Sequence, residues 1–267
     1  MNKNIMTSIL AVSALVASSA AMAVPLVVNT ALSNIGTAFD NVITGTGASV
    51  VTAQVVNGQS SYAYTDKNGA AATVTVTRPN GTAAAMSSSY SSGGTSLSGA
   101  VWNINPGSTG ADIIPGFNSG LTFAFSSPVN AFGFEVGDWA TCCMNSARPT
   151  AVQNTYGVPA GGSGLWIAFD GGAATLPANA FSASDNPGIP AGEGFTNFIG
   201  AIDDTGDFSS VTFFGDGFGE FLVAGGTLRF ASVAQGSVTN PTVPEPASLA
   251  LLGLGALGFA ASRRKKA

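Results

Sequence analysis

Histidine is absent from this 267-residue chain. That removes Ser-His-Asp nucleophilic catalysis, histidine general bases and most transition-metal sites together. Charge is nearly as scarce, at 9% of residues, with 9 Lys and Arg against 14 Asp and Glu. Apart from Lys3 and the cluster 263–266, the only cations are Lys67, Arg78, Arg148 and Arg229, whereas every acidic residue except Glu245 lies between the two ends. Such a surface cannot neutralise phosphates, so no nucleic acid is expected as a partner. Anionic polysaccharide is excluded as a simple charge partner on the same ground. Neutral sugars, and anionic sugars bridged by a divalent cation, remain compatible. Cysteine is limited to the adjacent pair Cys142-Cys143, so no long-range disulfide can staple one chain. Low charge also weakens colloidal repulsion and favours self-association.

Gly, Ser, Thr, Ala and Asn fill the space that charge leaves. Short segments alternate at period two between glycine, proline and asparagine turns, the pattern of antiparallel β-structure. Strands are predicted over 49–56, 61–65, 72–78, 101–104, 121–125, 131–136, 165–170, 195–202, 210–214, 218–223 and 227–233, with Gly225-Gly226 as the turn between the last two. Pro128 is read as a break between 121–125 and 131–136, whose aromatic faces should pair and bury together. Roughly ten strands and almost no amphipathic helix predict an all-β antiparallel sandwich of jelly-roll type. About 220 residues suffice for one domain with a substantial core.

The two ends are organised differently. Lys3, an apolar core over 9–15 and the small-x-small site Ala21-Met22-Ala23 form a signal peptide over 1–23, cut to leave Val24. No cysteine follows the apolar core, which excludes lipoprotein processing. The sandwich is expected over 24–234 and a Ser/Thr/Pro linker over 235–242. A rigid Val243-Pro244-Glu245-Pro246 elbow then leads into an apolar helix over 247–262, and Arg263-Arg264-Lys265-Lys266 closes the chain. About 15 apolar residues span roughly 22 Å, short of a comfortable bilayer crossing. Gly253, Gly255 and Gly258 permit close packing or unwinding. The terminal cations stay cytoplasmic, which places the body outside.

This three-part tail resembles the PEP-CTERM sorting signal of Gram-negative bacteria over residues 243–267. The resemblance implies recognition and cutting near Pro-Glu-Pro by a membrane-embedded exosortase. It implies transient anchoring in the inner membrane, then the cell envelope, outer surface or extracellular space, often alongside exopolysaccharide. The phrases 132–136, 198–214 and 226–233 resemble the body of such proteins.

Candidate chemistry in the body is sparse. Asp203, Asp204, Asp207 and Asp216 surround glycine turns and are candidate ligands for calcium, which takes six to eight oxygens; Asp and Gly are equally ordinary turn residues. Asp138 and Asp170 are further candidates. Glu135 and Asp138 suggest a glycosidase pair, which needs two carboxyl groups about 5 to 9 Å apart in a cleft, but Glu135 falls opposite the aromatics and should face solvent. Trp102, Trp139 and Trp166, with Tyr62, Tyr64, Tyr90 and Tyr156, are the candidate sugar-stacking groups. Trp166 reads as core, and Trp139, inside a long insertion, is the one expected to be exposed. Cys142-Cys143 is read as a vicinal disulfide stiffening its loop, with a redox switch, a contact platform or an intermolecular bond as alternatives. The expectation is a non-catalytic exported envelope or matrix protein that binds or organises exopolysaccharide. A secreted carbohydrate-active enzyme and a calcium-dependent lectin or adhesin are the alternatives.

Overall fold

The computed structural model describes residues 25–104, 119–216 and 220–238. The chain runs through β1 (Leu26–Thr30), β2 (Val51–Gln54), β3 (Ser61–Thr65), β4 (Ala71–Thr77), β5 (Met86–Ser87), β6 (Ser91–Ser92), β7 (Thr95–Ser96) and β8 (Val101–Ile104). It continues through β9 (Leu121–Val129), β10 (Ala131–Gly137), β11 (Ser163–Phe169), β12 (Thr175–Ala180), β13 (Thr196–Ile202), β14 (Phe208–Gly215) and β15 (Leu222–Ala231). Two short α-helices interrupt it, α1 (Asn41–Thr44) and α2 (Thr150–Tyr156). One sheet has the order β1-β13-β10-β15-β8-β5, with β2 also on β15; the other has the order β12-β11-β14-β9-β4-β3. Among the described residues no helix is long and apolar enough to cross a membrane, and the predicted span 247–262 lies outside them.

The two sheets pack face to face. In β3 and β4 every second residue is buried, so Tyr62, Tyr64, Val74 and Val76 point inward while the threonines and serines between them face solvent, as the period-two pattern requires. Phe123 of β9 stacks on Phe134 of β10 at 4.9 Å and lies 4.8 Å from Phe132. Tyr64 stacks on Phe230 at 5.2 Å. The predicted burial of the β9 and β10 aromatics together is therefore observed, but the predicted pairing is not. β9 and β10 belong to opposite sheets and meet across the core. Asn130, between the two strands, is buried and binds Val233 through both ends of its amide. β9 itself runs through Pro128 to Val129, with an irregular register against β14.

A second departure sits at Gly225-Gly226. Instead of a turn between two strands, these glycines lie inside β15, at φ of +152° and +61°. Such angles disfavour L side chains, and here they build a bulge. Before the bulge β15 pairs with β8, and after it with β2, while the register against β10 shifts at the same level. The bulge thus lets one ten-residue strand hold two different partners along one edge.

β10 is buried on both faces. Its outer face is covered by the segment 32–44, from which Phe39 and Ile43 pack with Ala131, Phe198 and Ile202. Glycine at 133 is required here, because a Cβ would collide with the Phe198 ring. Phe198 in turn meets Phe39 edge-on at 5.0 Å.

Candidate functional site

Leaving β10 at Gly137, the chain makes a tight turn in which three non-glycine residues out of six take left-handed angles: Asp138 (φ 62°), Ala140 (φ 64°) and Cys143 (φ 64°). Each costs on the order of 1 kcal/mol, so something must hold the turn. That clamp is Glu220, itself only 5% exposed. Its Oε1 accepts from the Ala140 amide at 2.5 Å, the Thr141 amide also bonds the carboxyl, and Ser163 Oγ donates to Oε2. Burial pushes the Glu220 carboxyl up to about 8, the amides pull it down, and the negative charges of Asp216 and Asp138 raise it further. Tyr90 lies against the same turn and hydrogen-bonds Asp138. Its hydroxyl is pushed up to about 12 by burial first and by Asp138 second.

The turn continues into Cys142, exposed, and Cys143, half-buried. Their sulfurs lie 2.6 Å apart and are not joined as a disulfide. Partial burial comes first, then Cys143, Glu220 and Asp138, in pushing the Cys142 thiol up to about 12.

Next to this turn Arg148 is buried in a fork with Asp216. Nε meets Oδ1 at 3.0 Å and Nη2 meets Oδ2 at 2.7 Å, the two-bond geometry in which a guanidinium is strongest. Nη1 donates to the carbonyls of Pro159 and Gly161 at 3.0 and 2.8 Å, and Nη2 also donates to Asn179. Asp216 accepts from Trp166 Nε1 at 2.6 Å and from the Gly164 amide. The pair therefore ties β11, β12, the end of β14 and the 147–161 loop together. Neither this fork nor the Glu220 clamp has a local signature in the sequence. The available signal was scarcity: Arg148 is one of four cations in the body.

The structure corrects several expected sites. Trp139 is not exposed but 1% accessible, because its indole N–H donates inward to the Ser163 carbonyl at 3.3 Å and its own carbonyl accepts from buried Asn186 at 2.8 Å. Trp102 and Trp166 are equally buried. Acrylamide should therefore quench tryptophan emission only weakly, and a readily quenched component would contradict this placement. Glu135 does not face solvent either. It is buried at 4%, since residues 97–98 and the β15 bulge cover that face, and it accepts from the Ser98 and Thr227 amides at 2.9 and 3.1 Å.

The four expected calcium ligands are not brought together. Asp203 and Asp207 precede β14 and Asp216 follows it, so a strand of eight residues, roughly 26 Å, separates them. Asp203 Oδ1 closes its own turn by accepting from Thr205 and Gly206. Asp207 meets the Lys67 ammonium at 2.6 Å. Asp204 accepts from Val238 at 3.0 Å and, through its carbonyl, from Gly236 at 2.7 Å. Among the described residues no group of three or more acidic or thiol side chains is placed to hold a metal ion. Asp170, another candidate, takes φ 51° and receives the Ser209 and Ser210 amides at 2.7 and 2.9 Å. The start of the predicted linker is thus not loose: residues 235–238 fold onto the Asp203–Asp207 turn. The chain heads toward its tail from that end, and the cysteine turn occupies the other end of β14.

Residues 242–265 match the family model of the PEP-CTERM protein-sorting motif. The chain carries a PEP-CTERM sorting signal. The match takes in Val243, Pro244, Glu245, Pro246, Arg263, Arg264 and Lys265, with Lys266 one residue beyond. Like Ala21 and Ala23 of the expected signal-peptide site, these lie outside the described residues. A PEP-CTERM signal implies an exported passenger protein that an exosortase sorts, through a membrane-linked step, to the cell envelope. No curated protein matches the chain.

Proposed function

We propose that this is a non-catalytic envelope or extracellular-matrix protein, whose jelly-roll-like body over 24–234 is exported behind a signal peptide and released through its PEP-CTERM tail. In its final place the body binds or organises exopolysaccharide. The observation that carries this reading is the sorting signal at 242–265. The chemistry of the body supports it. Glu135, Asp216 and Glu220, the buried carboxylates among the described residues, are each occupied by two or more internal donors, so none of the three stands ready as an acid or base in an open cleft. The surface is rich in hydroxyl and amide groups, which suit neutral sugars better than charged ones.

The test is retention of the exported, processed protein on neutral and acidic glycans, with calcium and then with chelator, and with assay for released sugar. Binding without calcium and without product is the expected result. Product that vanishes on replacing two carboxylates would instead make it an enzyme. Binding abolished by chelator would make it a calcium-dependent lectin, and no binding at all would reduce the role to matrix structure.

A further inference from the structure

Cys142 and Cys143 are the only cysteines in the chain, and their sulfurs already face one another at 2.6 Å. The backbone is bent for this: Cys143 takes φ 64°, within a turn whose shape the Glu220 carboxyl group fixes at Ala140. Cys142 is open to solvent. The export that the sorting signal implies takes the pair into an oxidising compartment, where such thiols do not stay reduced by default.

We propose that Cys142-Cys143 is a reversible oxidation site, closed into a vicinal disulfide by a disulfide-bearing oxidant once the chain is exported. One thiol loses its proton to water and attacks a sulfur of the oxidant, expelling the other sulfur as a thiolate. The neighbouring thiol then attacks the mixed disulfide, forms the Cys142–Cys143 bond and expels the second thiolate. Two electrons and two protons leave the protein, and the oxidant becomes two thiols. Adjacent Cα atoms lie about 3.8 Å apart, below the usual range of about 4.4–6.8 Å for disulfides, so the ring is easily reopened by a dithiol. Ring closure does not tie distant parts of the chain together. It changes only the tip of a turn at the end of the sandwich away from residues 235–238, where the chain heads toward its tail.

The setting rests on the export reading, but the chemistry does not, and the test separates them. The full chain in detergent is reduced, exchanged anaerobically into oxidised glutathione, quenched in acid, unfolded and alkylated. The expected product is lighter by two hydrogen atoms, carries no alkyl group and no glutathione, runs as a monomer without reductant, and takes two alkyl groups after dithiothreitol. Cys142→Ser and Cys143→Ser should each instead retain glutathione on the remaining thiol. Two alkylated thiols at excess oxidant, a lasting glutathione adduct on the wild type, or a disulfide-linked dimer would each overturn the proposal. A ring that closes with glutathione yet is absent from envelope-derived protein would overturn its link to export.

Discussion

Replacing Arg148 by methionine should lower the unfolding free energy by about 3–5 kcal/mol, the usual cost of stripping one partner from a buried ion pair. For a body of this size that is a fall of about 6–20 °C in Tm. Arg148 is 2% exposed and Asp216 5%, so water cannot take over from the guanidinium. The Pro159 carbonyl loses its donor in the same step, and the Gly161 carbonyl keeps only the Asn179 amide. Converting the pair to Arg148→Met with Asp216→Leu should recover only part of the loss. The Trp166 indole and the Gly164 amide would then be the buried groups without a partner. Urea unfolding of the three proteins measures this, and a loss below about 1 kcal/mol in the single variant would place Arg148 at the surface rather than in the fork.

Glu220 should give the chain an unusual pH dependence. Its carboxyl is pushed from 4.5 up to about 8 in the folded protein. Between those values the folded chain holds a proton that the unfolded chain has lost, so stability falls as pH rises. The contribution is complete below about pH 4.5 and gone above about pH 8, and is on the order of 5 kcal/mol. The window is clean because the chain has no histidine. Asp66 and Asp185, whose carboxyls are held down chiefly by backbone amides, titrate below it. Glu220→Gln keeps an acceptor for the Ala140 amide and does not ionise. Denaturant midpoints should coincide for the two proteins at pH 5, and the variant should be the more stable one at pH 8.5. Parallel curves across that range would mean that the clamp is not a protonated carboxyl.

The sandwich was legible because its strands obey a two-residue period over residues such as Tyr62-Ala63-Tyr64 and Val74-Thr75-Val76, and periodicity is a local property. The elements that escaped lack it. β12 contains Pro177 and lies at the edge of its sheet, the one place a proline is tolerated. The 32–44 segment is too short and irregular for a helical pattern. The sites were less legible than the strands, for a physical reason. Whether Glu135, Trp139 or Asp216 is exposed depends on what lies across it, and Ser98, Ser163 and Arg148 come from 37, 24 and 68 positions away. Face alternation placed Glu135 opposite Phe134 correctly, yet could not foresee a covering loop. The sorting tail, by contrast, is a linear signal, read by its own order of residues, and needed no fold to be recognised.

The PEP-CTERM tail marks this protein for sorting. The most direct test follows full-length chain in cells that possess an exosortase, comparing wild type with a Pro244→Ala/Glu245→Ala/Pro246→Ala variant by mass and by fractionation. The wild type should lose its tail and appear in the envelope or outside the cell, and the variant should remain at full length in the inner membrane. If both are trimmed and released alike, or both stay anchored, the tail is not a sorting signal and the account of this protein as a sorted passenger fails.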